Sequence, residues 1–302
     1  MSLLVLGTVA FDTIETSFGK VDKILGGAAT FTSITSSYFT NPNILSIVGY
    51  DFPKKYIQLL NEHNINLHGL DIHKQEKTFF WSGKYHENMN IRDTIDTQLN
   101  VLNHFDPIIP NNINNPDFLM LGNVIPAIQL KVFNQIEKKP KLVAMDTMNL
   151  WIENCYEELI KIIKKVDLLM INDQEIKELH EVNDVELAIK KTFELGLEYI
   201  IVKMGSNGSL LISKKGERFK CPAVQIQKVI DPTGAGDSFA GGFMGYLSSI
   251  NNFTFEDLKK ATCWGTVMAS YCVENFGIKN IIHLNNLSYK KRYNLLLQSI
   301  VK

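Results

Sequence analysis

Short apolar runs ending in turn residues recur along the chain: Leu3–Leu6, Ile44–Val48, Phe118–Leu121, Leu142–Met145, Leu168–Ile171 and Tyr199–Val202. Each is too short for a helix and apolar on both faces, the pattern of strands covered from both sides. Between most of them lie stretches with helical spacing, such as Trp151 to Val166 and Asp173 to Leu195. This alternation predicts a doubly wound α/β fold, a mostly parallel sheet flanked by helices.

Residues Lys77 to Asn100 break the rhythm. Phe79, Trp81 and Tyr85 fall on alternate positions, which predicts a half-buried antiparallel strand pair outside the central sheet, a small β-lid. Its aromatic face packs on the body, on a second copy of the chain, or over a ligand. Asn207-Gly208 between two apolar runs is a hairpin signal, so the sheet is expected to end in antiparallel strands continuing through Val224–Ile230. No linker-like segment divides the chain. We therefore expect one domain over 1–302, with the lid supplied by residues at about 10–20 and 75–102.

Composition narrows the function classes. The chain has 302 residues, 45% hydrophobic and 21% charged, as a soluble globular protein does. Lys plus Arg is 31 against 32 for Asp plus Glu, and no basic block occurs, so nucleic acid is not an expected partner. Cys155, Cys221, Cys263 and Cys272 form no C-x-x-C pair, which suits a reducing compartment. The apolar N-terminus lacks a basic region and is interrupted by Asp12, unlike a signal peptide or a membrane span. A cytoplasmic protein with no membrane partner is the expectation.

The segment that points to chemistry is Asp231-Pro-Thr-Gly-Ala-Gly-Asp237, which follows the apolar run Gln225–Ile230 and opens a helix with Phe239, Phe243 and Leu247 on one stripe. Pro232 keeps Asp231 out of the helix. Gly234 and Gly236 let the backbone amides of Gly234, Ala235 and Gly236 approach a ligand, and unpaired amides at a helix N-terminus make an anion site. A carboxylate beside an anion site repels a merely bound phosphate. It fits if Asp237 accepts the proton of a hydroxyl attacking that phosphate. The plainer alternative is a glycine-rich turn with Asp237 as a helix N-terminal charge. Against it stand Gly241, Gly242 and Gly245 in the helix, each unfavourable by about 1 kcal/mol unless close packing demands it. No G-x-x-x-x-G-K-[ST] and no complete dinucleotide fingerprint is present.

This segment resembles the signature of the ribokinase/PfkB carbohydrate kinase family. The resemblance extends to Asp12 and to Gly26-Gly27, similar to that family's sugar-binding elements, and to Gly49-Tyr-Asp51. It also takes in Asn172-Asp-Gln-Glu175 and the glycine loop Lys203-Met-Gly-Ser-Asn-Gly208. It implies a kinase of a sugar or nucleoside hydroxymethyl group, using ATP and Mg2+, with Asp237 as general base. By resemblance Asp12, Gly26 and Gly27 orient the substrate, and Lys203, Gly205, Asn207 and Gly208 serve the nucleotide. Asn172 and Glu175 hold magnesium partly through water. The resemblance adds a monovalent cation, K+, beside Asp231 and Thr233, and a homodimer through the lid. Taken without it, Asn172-x-x-Glu175 is equally a helix capping box.

Three positions depart from the family pattern: Phe31 stands where an Asn is usual, Ala10 replaces another Asn, and Lys54 replaces a Gly. The first two remove polar partners of sugar hydroxyls. A nucleoside then fits better than free ribose, its base stacking on Phe31 or on lid aromatics. Arg92 in the lid either approaches substrate or phosphate or is a solvated charge, and Asp146 ends a strand at the ligand edge. The alternative function is a catalytically idle sugar- or nucleoside-binding regulator. A vitamin-precursor kinase on a related fold is a third, disfavoured by Asp12 and the lid.

Overall fold

A computed structural model describes residues 1–250 and 253–300. The chain opens with β1 (Leu3–Leu6), β2 (Ala10–Thr16), β3 (Gly19–Gly26), α1 (Ala28–Ser36), β4 (Asn43–Gly49), α2 (Lys54–Glu62) and β5 (Asn66–His73). It continues with β6 (Phe80–Tyr85), β7 (Arg92–Gln98), β8 (Phe118–Leu121), α3 (Pro126–Asn134) and β9 (Leu142–Asp146). Then come α4 (Asn149–Asn154), α5 (Tyr156–Ile163), β10 (Leu168–Asn172), α6 (Glu175–Leu179), α7 (Val185–Phe193) and β11 (Tyr199–Lys203). The last elements are β12 (Ser209–Ser213), β13 (Arg218–Cys221), α8 (Ala235–Ser249), α9 (Phe255–Cys272) and α10 (Asn286–Ile300).

Nine strands form the central sheet in the order β13-β12-β11-β10-β9-β8-β1-β4-β5, parallel from β11 to β5. The six apolar runs are β1, β4, β8, β9, β10 and β11, and all are fully buried along their apolar residues except at the ends. Alternate residues enter two cores. Leu3, Val5, Phe118 and Met120 meet Phe243 and Met244 of α8 on one face. Leu4, Leu6, Leu119 and Leu121 meet Leu159 and Ile162 of α5 on the other. The glycines of α8 are spent on packing: a Cβ at Gly245 would lie 2.7 Å from Ser36 Cα in α1, and one at Gly242 2.8 Å from the Trp264 carbonyl oxygen in α9. So α8 lies pressed between α1 and α9, and its N-terminus is fixed at the carboxyl edge of the sheet.

The hairpin at Asn207-Gly208 forms, joining β11 to antiparallel β12. The strand expected over Val224–Ile230 does not. Its place in the ladder is taken by β13, which ends at Cys221 because Pro222 has no N–H to donate. Two expected helical stretches are each split, 151–166 at Cys155 (φ −139°, ψ 35°) and 173–195 between α6 and α7. No helix among the described residues is long and apolar enough to cross a membrane.

The four-stranded lid has the order β3-β2-β6-β7. Its first hairpin stays paired from Thr16↔Gly19 down to Ala10↔Gly26, past the limit expected near residue 20. Registers Asp12↔Trp81 and Tyr85↔Arg92 put Asp12, Trp81, Gly83, Tyr85 and Arg92 on one lid face.

Candidate active site

The parallel strands end at one edge, where open α/β sheets bind ligands. Asp146 ends β9, Asn172 ends β10 and Lys203 ends β11. Above them sits the Pro232–Gly236 turn that starts α8. Gly234 takes a left-handed conformation (φ 75°, ψ 4°) and caps the helix without a side-chain bond. The Ala235 N–H turns back to the Pro232 carbonyl oxygen at 3.2 Å, while those of Gly234 and Gly236 have no backbone acceptor among the described residues, the place where a helix N-terminus receives an anion.

Phe31 is the floor of this turn. It is 1% exposed, and a Cβ on Gly234 would sit 2.5 Å from three of its ring atoms. It therefore offers no face to a nucleobase, and the stacking role expected for it is corrected. An aromatic ring in α1 supports the loop from below because α1 and α8 are in close contact.

Asp237 stands in the first turn of α8, half-buried. Its carboxyl is pushed up to about 7, first by burial and then by the charge of Asp146, against the pull of Lys203 and Arg92. Asp12, 5% exposed on β2, is also raised to about 7, by burial and by Asp231 and Asp237, with the Gly27 N–H opposing. Gly26 has no side chain because the Asp12 carboxylate fills that space. Glu175 is raised to about 7 as well, chiefly by burial, with Lys203 opposing and Asp146 adding. Burial thus raises three carboxyls gathered at this edge, the kind of cluster that marks a functional site.

Lys203 Nζ donates to both oxygens of Asp146, at 2.8 and 2.9 Å. Burial alone would lower its pKa, but Asp146, Glu175 and Asp237 outweigh that and raise it. The ammonium lies 3.1 Å from where a Cβ on Gly236 would be. Lys203 ends β11 just before the glycine loop, and its head reaches the turn that starts α8. The Asp146 partnership is not legible locally, since the two are 57 positions apart. The available signal was that two apolar strands, Leu142–Asp146 and Tyr199–Lys203, end in opposite charges at one edge.

Asn172 and Glu175 form the reciprocal cap. The Asn172 side-chain oxygen accepts the N–H groups of Gln174 (2.9 Å) and Glu175 (2.7 Å), and Glu175 Oε2 accepts that of Asn172 (3.1 Å). Both lone pairs of the Asn172 oxygen are thereby engaged in the cap, the plainer of the two readings of this motif. Glu175 Oε1 has no hydrogen-bond partner among the described residues. At Asp231 both oxygens also accept backbone N–H groups, from Thr233 and Gly277 at 2.9 Å each, and Thr233 Oγ1 meets Tyr85 Oη at 3.0 Å. These two side chains brace the turn and tie it to the lid.

The lid closes over this edge. Besides the Tyr85 bond, Arg92 is near enough to lower the pKa of Asp12, Asp237 and Glu175, and Asn90 Oδ1 approaches Gly205. Trp81 extends across Gly83, with the Arg92 guanidinium 5.6 Å from its ring centre. Gly205 (φ 54°) and Gly208 (φ 86°) turn the β11–β12 connection, and Asn207 is exposed on it. Gly49 and Asp51 are not part of the cluster: Asp51 holds the lid base, accepting the Thr78 N–H at 2.7 Å and its hydroxyl at 2.8 Å.

The model of the pfkB family of carbohydrate kinases matches residues 3–283. A cytidine kinase of Thermococcus kodakarensis is 26% identical over 249 residues, 81% of this chain and 87% of its own. A nucleoside kinase of Methanocaldococcus jannaschii is 28% identical over 259 residues, 84% of this chain and 81% of its own. The crystal structure of the Methanocaldococcus jannaschii nucleoside kinase, described as an archaeal member of the ribokinase family, superposes with a TM-score of 0.78 at 24% identity, over 97% of this chain and 98% of its own. The nucleoside kinase of Burkholderia thailandensis in complex with inosine gives 0.79 at 14% identity, over 98% and 97%. At these identities the superpositions speak for the fold.

Proposed function

The chain belongs to the pfkB family of carbohydrate kinases, a sugar or nucleoside kinase by its relatives, and from that premise we propose that it transfers the γ-phosphoryl group of ATP to the hydroxymethyl group of a nucleoside. The observation that carries this is the placing of Asp237 in the first turn of α8, whose N-terminus no side chain caps, with Asp12 facing it from the lid. Asp12 and the Gly27 amide orient the sugar hydroxyls. Asp237 takes the proton of the attacking hydroxyl, and the amides of Gly234 and Gly236 receive the charge on the transferring group. Gly205, Asn207 and Gly208 border the nucleotide.

Magnesium fits the donor chemistry: Glu175 brings a hard carboxylate oxygen to the edge, and its Oε1 has no protein partner among the described residues. Bound there it would offset negative charge on the phosphates. A cation beside Asp231 would find that carboxylate already holding Thr233 and Gly277, so potassium has no part in the reading.

A nucleoside is favoured over a free sugar because Phe31 and Ala10 supply no polar partners, while Trp81 lies on the lid face that carries Asp12. The names of the cytidine and nucleoside kinase relatives point the same way. The test is ADP release on Mg-ATP against pentoses, hexoses and nucleosides. Turnover with nucleosides supports the proposal; turnover with free sugars alone replaces the substrate class; ATP binding without turnover on any acceptor favours the idle regulator.

Because Asp237 must be ionised to act and its pKa is raised to about 7, kcat/KM should fall below about pH 7, approaching tenfold per pH unit, and level off above it. An acid limb centred near pH 4 would contradict the assignment. We also propose that the lid edge pairs two copies, since Ile91 and Ile95 beside and on β7 are 52% and 63% exposed. Light scattering should give twice 34.3 kDa; a monomer mass rejects it.

A further inference from the structure

The ion pair at the sheet edge has no evident structural use. Asp146 and Lys203 sit on β9 and β11, which are already joined through the ladders of β10. The pair's side chains are only 6% and 19% exposed, and burying an ion pair stabilises a fold no better than apolar side chains of the same size. Its geometry is nevertheless tightly set. Asp146 Oδ1 also accepts the Thr147 N–H at 3.0 Å, and the Asp146 carbonyl oxygen accepts from Gln129 Nε2 at 3.2 Å. The carboxylate is thus fixed before it fixes the lysine. Two of the three N–H groups of Lys203 are spent on Asp146, and the third has no protein acceptor among the described residues.

We propose that Lys203 is a catalytic residue of the phosphoryl transfer and that Asp146 is the positioning residue that holds it against the anion loop. The proposal rests on the kinase reading and deepens it. The ammonium lies next to Gly236, one of the residues whose amides face the anion, and one residue before Asp237. In the step itself the acceptor oxygen bonds to the γ-phosphorus, the bond to the β-phosphate oxygen breaks, and the hydroxyl proton passes to Asp237. Lys203 adds fixed positive charge to the three oxygens in flight and takes no proton. A point charge held in a water-poor site is worth most where charge develops. Asp146 touches none of the reacting atoms; it stops the flexible four-carbon chain from swinging away.

The test is a double-mutant cycle with the acceptor that the wild type phosphorylates, using Lys203→Met, Asp146→Asn and the pair together, with thermal midpoints measured alongside. Lys203→Met should lower kcat ~10²–10³-fold while KM for the acceptor moves less than about threefold. At a pH high enough that Asp237 is ionised in every variant, Asp146→Asn should lower kcat at least ~10-fold, and the double variant should be no slower than Lys203→Met alone, because the part Asp146 plays in the transfer then runs through the lysine. If Lys203→Met unfolds below the assay temperature, Lys203→Arg carries the test; its planar fork cannot occupy the same point, and a tenfold loss of kcat at an unshifted midpoint is expected. Retention of more than a tenth of kcat by Lys203→Met, or losses in the double variant that multiply, would overturn the proposal. A wild type silent with every acceptor removes the kinase reading and this proposal with it.

Discussion

Asp237→Asn is expected to lower kcat by ~10²–10⁴-fold, the range of a lost general base, and at the same time to raise the thermal midpoint at pH 8. The first effect follows from the position of the carboxyl in the first turn of α8, whose N-terminus no side chain caps. The second follows from the sign of its pKa shift. Asp237 is raised from 3.8 to about 7 by burial and by Asp146, so between those pH values the folded state holds a proton that the unfolded chain has released. Folding is then weakened as pH rises through that window, and the ionised carboxylate is a burden at pH 8. A neutral amide of the same shape removes it. ATP binding, measured by titration, should change little. Near-normal turnover, or a lower midpoint at pH 8 with native-like folding, would speak against Asp237 as a base held under strain for catalysis.

Gly234→Ala should damage both stability and turnover. The residue has φ 75°, and the new methyl would lie 2.5 Å from the Phe31 ring. A left-handed non-glycine residue loses about 1–2 kcal/mol, and overpacking adds about 1–3 kcal/mol. Denaturant titration should therefore show a loss of roughly 2–5 kcal/mol. Because the turn that aims the amides must shift, kcat should fall by at least ~10-fold even in the folded fraction. Adding Phe31→Leu should make the double variant lose less than the sum of the two single changes, since the clash is shared and only the backbone strain persists. Strict additivity would mean that Phe31 does not support the loop.

Much of the fold was legible because a parallel sheet buried on both faces writes itself as uniform apolar runs. Leu3–Leu6 and Phe118–Leu121 match their strands residue for residue. The α8 glycines could be read as a demand for close packing, which α1 and α9 supply. What failed was decided by single residues or by tertiary contacts. Pro222 ended the ladder before Val224–Ile230, and Cys155 broke a helix whose periodicity continued on either side. Phe31 looked like a substrate contact from its place after Gly26-Gly27, yet the approach of α8 sealed it under Gly234. Asn172 and Glu175 carried two meanings in four residues, and it took the hydrogen bonds to show the cap, which leaves Glu175 Oε1 outside it. The pairing of Lys203 with Asp146 has no local signature, because it depends on which strands lie next to β10.

The most direct test of the central claim is a phosphorus NMR spectrum of the product formed from Mg-ATP and a nucleoside, recorded with wild type and Asp237→Asn side by side. The account predicts a new phosphomonoester signal coupled to the two hydroxymethyl protons in the wild-type reaction, and none in the variant over the same time. A phosphoryl group on a ring hydroxyl, or the same product from Asp237→Asn at a comparable rate, would contradict it.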